Sequence, residues 1–131
     1  MKKTSVRRNL RATEAALQRA ILEYLNYNNV MAWRVNSGLA RTINKGKKSI
    51  IRLAPAGTPD IVGVMYPTGR ALFVEVKRPG KKPTDTQLEQ MQDLSGFGAL
   101  CVVATSVDEV KSALEGINHK LNERTYERTN S

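Results

Sequence analysis

A chain of 131 residues, 40% hydrophobic and 25% charged, has the length and composition of one soluble domain with a modest core. No apolar run is long enough to span a membrane, and polar residues follow the basic start Met1-Lys2-Lys3, so no secretory signal is expected. With 21 Lys+Arg against 12 Asp+Glu, a net charge of +9 and a pI near 10.0, the chain invites a polyanion partner, most simply nucleic acid.

In chain order, residues 1–12 form a basic N-terminal arm, expected to be flexible until bound. Thr13 is expected to cap a helix running to about Asn28, with Leu17, Ile21, Tyr24 and Leu25 as its apolar stripe. Val30 to Asn36 reads as a strand, with Met31, Trp33 and Val35 on one face and Arg34 and Asn36 on the other. Ser37 to Lys48 reads as a basic, Gly-containing loop, Ser49 to Leu53 as a short strand, and Ala54 to Pro59 as a turn. Ile61 to Met65 and Ala71 to Val76 predict a hairpin across Tyr66-Pro67-Thr68-Gly69.

Arg78 to Pro83 is a basic loop, and Thr84-x-x-Gln87 has the capping-box pattern of a helix through Leu88, Met91 and Leu94. Ala99 to Ala104 is a continuous apolar strand, expected to be central and covered on both faces. Ser106-x-x-Glu109 predicts a last helix carrying Val110, Ala113, Leu114 and Ile117, and residues 122–131 form a polar tail. The core order is α-β-β-β-α-β-α over residues 13–121: a mixed α/β domain whose central sheet is flanked by helices.

The positive charge is blocked. Residues 1–13 hold Lys2, Lys3, Arg7, Arg8 and Arg11 without an acid. Between Glu23 and Asp60 lie Arg34, Arg41, Lys45, Lys47, Lys48 and Arg52, again without an acid. Lys77, Arg78, Lys81 and Lys82 follow Glu75. Acid-free blocks fit a polyanion-binding surface better than a merely solubilising one. Cys101 is the single cysteine, flanked by apolar residues, so a buried thiol in a reducing, intracellular location is expected. With one Cys and one His (His119, expected on the helix surface), zinc coordination has too few ligands. Lys45-Gly46-Lys47-Lys48-Ser49 looks superficially like a phosphate-binding loop, but the earlier glycine it needs would be at Arg41, so no nucleotide cofactor is expected.

The chemistry concentrates at Asp60 and Glu75-Val76-Lys77. Side chains two apart on a strand share a face, so Glu75 and Lys77 project together. The intervening turn brings Asp60 alongside. Hard cations such as Mg²⁺ or Mn²⁺ take oxygen ligands, which Asp60, Glu75 and the Val76 carbonyl supply. Lys77 is placed to orient water or to balance charge in a phosphodiester transition state. The competing reading is a plain Glu75–Lys77 ion pair, but the apolar run around it predicts a buried strand, where acids need a partner or a metal.

On the first helix, Glu14 extends the stripe of Leu17, Ile21 and Leu25, at about 100° per residue, whereas Glu23 falls on the opposite face. Glu14 is thus either a third acid of the site or a favourable charge near a helix start. Gln87 is either a cap or a site residue. Arg34, Asn36 and Ser37 leave the first strand where they could hold phosphates.

Together these residues resemble the VRR-NUC (virus-type replication-repair nuclease) domains of the PD-(D/E)xK nuclease superfamily. The matching features are Glu14, Trp33 to Gly38, Gly57-x-Pro59-Asp60, Glu75-Val76-Lys77 fourteen residues after Asp60, Arg78-Pro79-Gly80 and Gln87. The resemblance covers roughly residues 13–106. It implies a restriction-endonuclease-like core and a metal-dependent endonuclease acting on DNA. Glu14, Asp60 and Glu75 carry over as acids (Glu14 through water or a second ion), Lys77 as the catalytic lysine and Gln87 as a helper. Small stand-alone members look phage-encoded and are similar to Holliday-junction resolvases, which implies branched DNA as substrate, a homodimer, and the cytoplasm of a bacterial host. Two other readings compete: a DNA-binding module without chemistry, and a sequence-specific restriction-like enzyme. The first leaves acids facing phosphates without a purpose, and nothing in the chain resembles an added specificity domain.

Overall fold

A computed structural model describes the backbone of residues 2–117 and the side chains of residues 14–117. The expected His119, the end of the last helix and the 122–131 tail lie outside the described residues. Helix α1 spans Lys2–Tyr27, so the backbone is helical through the segment expected to be a flexible arm, and no helix boundary falls at Thr13. Lys, Arg, Leu and Ala are all good helix formers, which lets the helix extend beyond its apolar stripe. The stripe itself behaves as its spacing predicts: Ile21 and Leu25 are buried, Leu17 and Tyr24 pack beside them, and Glu23 is exposed.

Strands β1 (Val30–Arg34), β4 (Ile61–Met65), β5 (Ala71–Val76) and β6 (Leu100–Ala104) form one sheet in the order β1-β4-β5-β6. The first two pairings are antiparallel and β5–β6 is parallel, so the sheet is mixed. Helix α2 spans Asp85–Gly96, and a last helix, α3, covers 107–117. The core order is therefore the expected α-β-β-β-α-β-α.

Into it is inserted a feature that the sequence reading took for a loop and a lone strand. Strands β2 (Leu39–Asn44) and β3 (Lys47–Arg52) pair antiparallel as a separate two-stranded ribbon. Its two-residue turn, Lys45-Gly46, has positive φ at both positions (50° and 78°), the backbone that matches strand twist in a tight hairpin. A second correction concerns β6. It is an edge strand rather than a central one, and stays apolar because it still contributes to both packed faces of the sheet.

Pleating and register define the two faces. Val30 and Ala32 of β1, Ile61 and Met65 of β4, Leu72, Val74 and Val76 of β5, and Ala104 of β6 face α1 and, with Val110 of α3, form the core. Gly63 sits among them because a Cβ there would stand 2.7 Å from Val30 Cγ1. The other face carries Phe73, Glu75 and Cys101 toward α2, where the Cys101 thiol donates to the Met91 carbonyl at 3.5 Å. Burial pushes that thiol's pKa up, consistent with a structural role. On the β1–β4 half of this face Met31, Trp33 and Val64 remain exposed.

Candidate active site

The site grows from one end of the sheet. Ile61 pairs with Val74, so Asp60, one residue earlier, stands across from Glu75 on the α2 face. The turn before it is held by the Thr58 hydroxyl, which donates to the Pro55 carbonyl at 2.6 Å. Gly57 is required there: its φ is +84°, and a Cβ would lie 2.8 Å from the backbone oxygen of Thr86 in α2. This close approach sets the Gly57-Thr58-Pro59-Asp60 turn against the first turn of α2.

Asp60 is fixed by its neighbour strand. Its Oδ2 accepts the Val76 N–H at 2.9 Å, and its backbone carbonyl accepts the Val35 N–H at 2.8 Å. Glu75 is 2% exposed, the single buried charged residue among those described. Its Oε1 accepts from Gln87 Nε2 at 3.0 Å and lies 3.5 Å from Lys77 Nζ. Its Oε2 is buried with no hydrogen-bond partner. Burial first, and the nearby Asp60 second, push the Glu75 carboxyl up to about 7, against an opposing pull from Lys77.

Gln87 resolves a conflict that the sequence left open. Thr84 Oγ1 accepts the Gln87 N–H at 3.2 Å, and Gln87 Oε1 accepts the Thr84 N–H at 2.9 Å, completing the capping box of α2. The amide's other end donates to Glu75. Cap and site contact are thus one side chain using both of its ends.

Glu14 is not gathered with the other two acids. Its carboxylate lies 3.5 Å from Arg78 Nε, and no group of three His, Cys, Asp or Glu able to hold a metal forms among the described residues. Arg34, Asn36 and Ser37 are exposed where β1 ends, beside the Val35–Asp60 bond. Lys81 and Lys82 are exposed between the site and α2, and Arg41, Lys45, Lys47 and Lys48 are exposed on the ribbon. Sequence reasoning missed two features: the Val76 N–H as a clamp on Asp60, and Arg52 as a partner of Arg41 and Lys48. The latter becomes visible only once residues 39–52 are read as a hairpin with period two. A cavity of about 600 Å³ lined by Asn26, Met31, Val64, Tyr66 and Pro67 opens at the far end of β1 and β4, away from the acids.

The orphaned Glu75 Oε2 and the forced proximity of two carboxylates are what a divalent cation would relieve, so the donor set fits a hard metal ion. No helix among the described residues is long and apolar enough to cross a membrane. A protein of Acyrthosiphon pisum secondary endosymbiont phage 1, named "Putative nuclease p44", is 40% identical over 62 residues, which cover 47% of this chain and 64% of that protein. A solved structure described as a VRR_NUC domain superposes with a TM-score of 0.55 at 23% identity, covering 79% of this chain and 95% of that one; this likeness establishes the restriction-endonuclease-like fold. The model of the VRR-NUC domain matches residues 12–108, and this chain belongs to the VRR-NUC domain family.

Proposed function

We propose that this protein is a Mg²⁺- or Mn²⁺-dependent, structure-selective endonuclease that hydrolyses phosphodiester bonds in branched DNA, in the manner of Holliday-junction resolvases. The observation that carries the chemistry is Glu75: a buried carboxyl with one unpartnered oxygen, pressed against Asp60 and flanked by Lys77. Such an arrangement costs stability and gives nothing back to the fold alone.

Asp60, Glu75 and the Val76 carbonyl would hold the cation, which would polarise the phosphate and lower the pKa of a water. Glu14 would contribute through water or a second ion, with Arg78 as its present partner. In hydrolysis the water oxygen bonds to phosphorus, the bond to the leaving DNA oxygen breaks, and that oxygen receives a proton. Lys77 orients the water and balances charge on the transition state. Gln87 keeps Glu75 in one orientation through its 3.0 Å bond. Arg34, Asn36, Ser37, Arg78, Lys81 and Lys82 grip phosphates on either side. The exposed apolar strip Met31, Trp33 and Val64 supports a homodimer, and the similarity to a phage protein supports work in the cytoplasm of a bacterial host.

The test is a cleavage panel of flaps, forks, four-way junctions and linear duplex, with Mg²⁺, Mn²⁺ or chelator, beside Asp60→Ala. Metal-dependent cutting of branched DNA, lost in Asp60→Ala, is the expected result. Uncut substrates with both metals would sink the assignment, and cutting of linear duplex at one fixed sequence would replace it with a restriction-like activity.

A further inference from the structure

The β2–β3 ribbon presents a patterned face. Its register pairs Leu39 with Arg52, Arg41 with Ile50, and Ile43 with Lys48, and directly opposed residues share a face. One face is therefore a chequerboard of three aliphatic and three cationic side chains, each kind alternating between the strands. The other face carries Ala40–Ile51, Thr42–Ser49 and Asn44–Lys47, with Thr42 and Ser49 joined through their hydroxyls at 2.5 Å. Leu39, Ile43 and Ile50 are 66–74% exposed, and the ribbon pairs with no other strand among the described residues. No acid occurs between Glu23 and Asp60.

Successive cations on this face are about 6.7 Å apart along the ribbon, twice the ~3.4 Å axial spacing of charges on one DNA strand. A second copy of the ribbon would set cations against cations, whereas a nucleic acid complements them. The ribbon root is also tied to the site: the Gly38 N–H donates to the Ala54 carbonyl, the Ala54 N–H donates to the Asn36 carbonyl, and the Val35 N–H donates to the Asp60 carbonyl.

We infer that the Leu39–Arg52 ribbon docks DNA through this one face, its cations supplying affinity and its aliphatic side chains supplying the preference for branched over continuous duplex. The inference rests on the branched-DNA reading above. The apolar surface of DNA is its base faces. Those are covered by stacking in a continuous duplex and open where stacking is interrupted, and aliphatic wedges are a known way of engaging them. Arg41, Lys48 and Arg52 meet phosphates that every DNA carries.

The test measures equilibrium binding by fluorescence anisotropy, with full-length Asp60→Ala protein and no metal, on a fork and on a continuous duplex of equal length. Removing the cations (Arg41→Ala, Lys48→Ala and Arg52→Ala together) should weaken both DNAs alike and reduce the slope of log affinity against log salt by about 2.7. Ile43→Thr with Ile50→Thr keeps β-branched residues in place. This pair should leave the salt slope unchanged and lower the fork-to-duplex ratio about tenfold. Ile51→Thr, the same change on the other face, should keep the ratio of the parent.

A fork preference that survives the Ile43 and Ile50 changes overturns the inference while leaving the nuclease reading intact. So does loss of that preference with Ile51→Thr, which would make the ribbon's fold rather than its face responsible. A shift from dimer to monomer with Ile43→Thr and Ile50→Thr in sedimentation would reassign the face to a second copy of the chain. Equal binding of fork and duplex by the parent, together with uncut branched substrates in the cleavage panel, would bring down the branched-DNA reading itself.

Discussion

The four-stranded sheet and the two-stranded ribbon are built from similar residues and put them to opposite uses. In β5, Leu72, Val74 and Val76 are buried to within 1% on one face, and Glu75 is buried on the other. In β2 and β3, Leu39, Ile43 and Ile50 alternate with cations and stay in solvent. The buried strand gives Glu75 an environment that shifts its proton affinity, which no exposed ribbon does. The ribbon presents charge over a length that no packed strand can. Burial is concentrated in the sheet, and charge is spread along the ribbon.

The largest expected effect on this contrast comes from Lys77→Ala, which should lower cleavage about 10²–10³-fold by removing the cation beside the reacting phosphate. Single-turnover rates would check this, and wild-type cleavage by this variant would take Lys77 out of the site. Leu72→Ala should cost about 2–5 kcal/mol in denaturant unfolding, because the residue is wholly buried.

Glu75→Gln probes the stored repulsion. The folded pKa of about 7 lies above the ordinary 4.5, so in the metal-free protein the stability contributed by the protonated Glu75 is fully present below about pH 4.5 and is lost as pH rises through about 7. At pH 8 without metal, Glu75→Gln should be about 3 kcal/mol more stable than the parent, with a flatter pH profile. In the parent, a metal held by Glu75 would compete with its proton, so apparent metal affinity and cleavage should rise with pH up to about 7. A flat affinity profile would contradict the shifted carboxyl.

Gln87→Glu keeps an acceptor for the Thr84 N–H but sets a second acid against Glu75. It should lower activity about 10–100-fold with little loss of helix stability, whereas Thr84→Ala should cost about 1 kcal/mol. Ile43→Ala is the smallest: thermal unfolding should register within about 0.5 kcal/mol of the parent, since the side chain is largely exposed.

The sequence made the sheet's half of this comparison legible. The Leu17, Ile21 and Leu25 spacing, the Glu75–Lys77 period and the Thr84–Gln87 box each encode local geometry in residue types, and each agrees with the structure. The ribbon was hidden because Ile43 and Ile50 alternate with basic residues and bury no face, and because Lys45-Gly46 lacks the usual Asn-Gly turn signature. The edge position of β6 was hidden for the opposite reason: helices contribute to both faces beside it, so an edge strand reads as a central one. The ion pair of Glu14 with Arg78 depends on where β5 stops and its chain turns, which the helix stripe alone does not encode.

The Gln87 amide has one donor end and one acceptor end, and both are engaged. Position 87 therefore cannot drift independently. A substitution that tunes the Glu75 carboxylate also alters where a helix begins, and one that improves the helix start also rewires the carboxylate. The helix start and the orientation of Glu75 meet at a single codon, and a library of all residues there should return very few proteins that keep both.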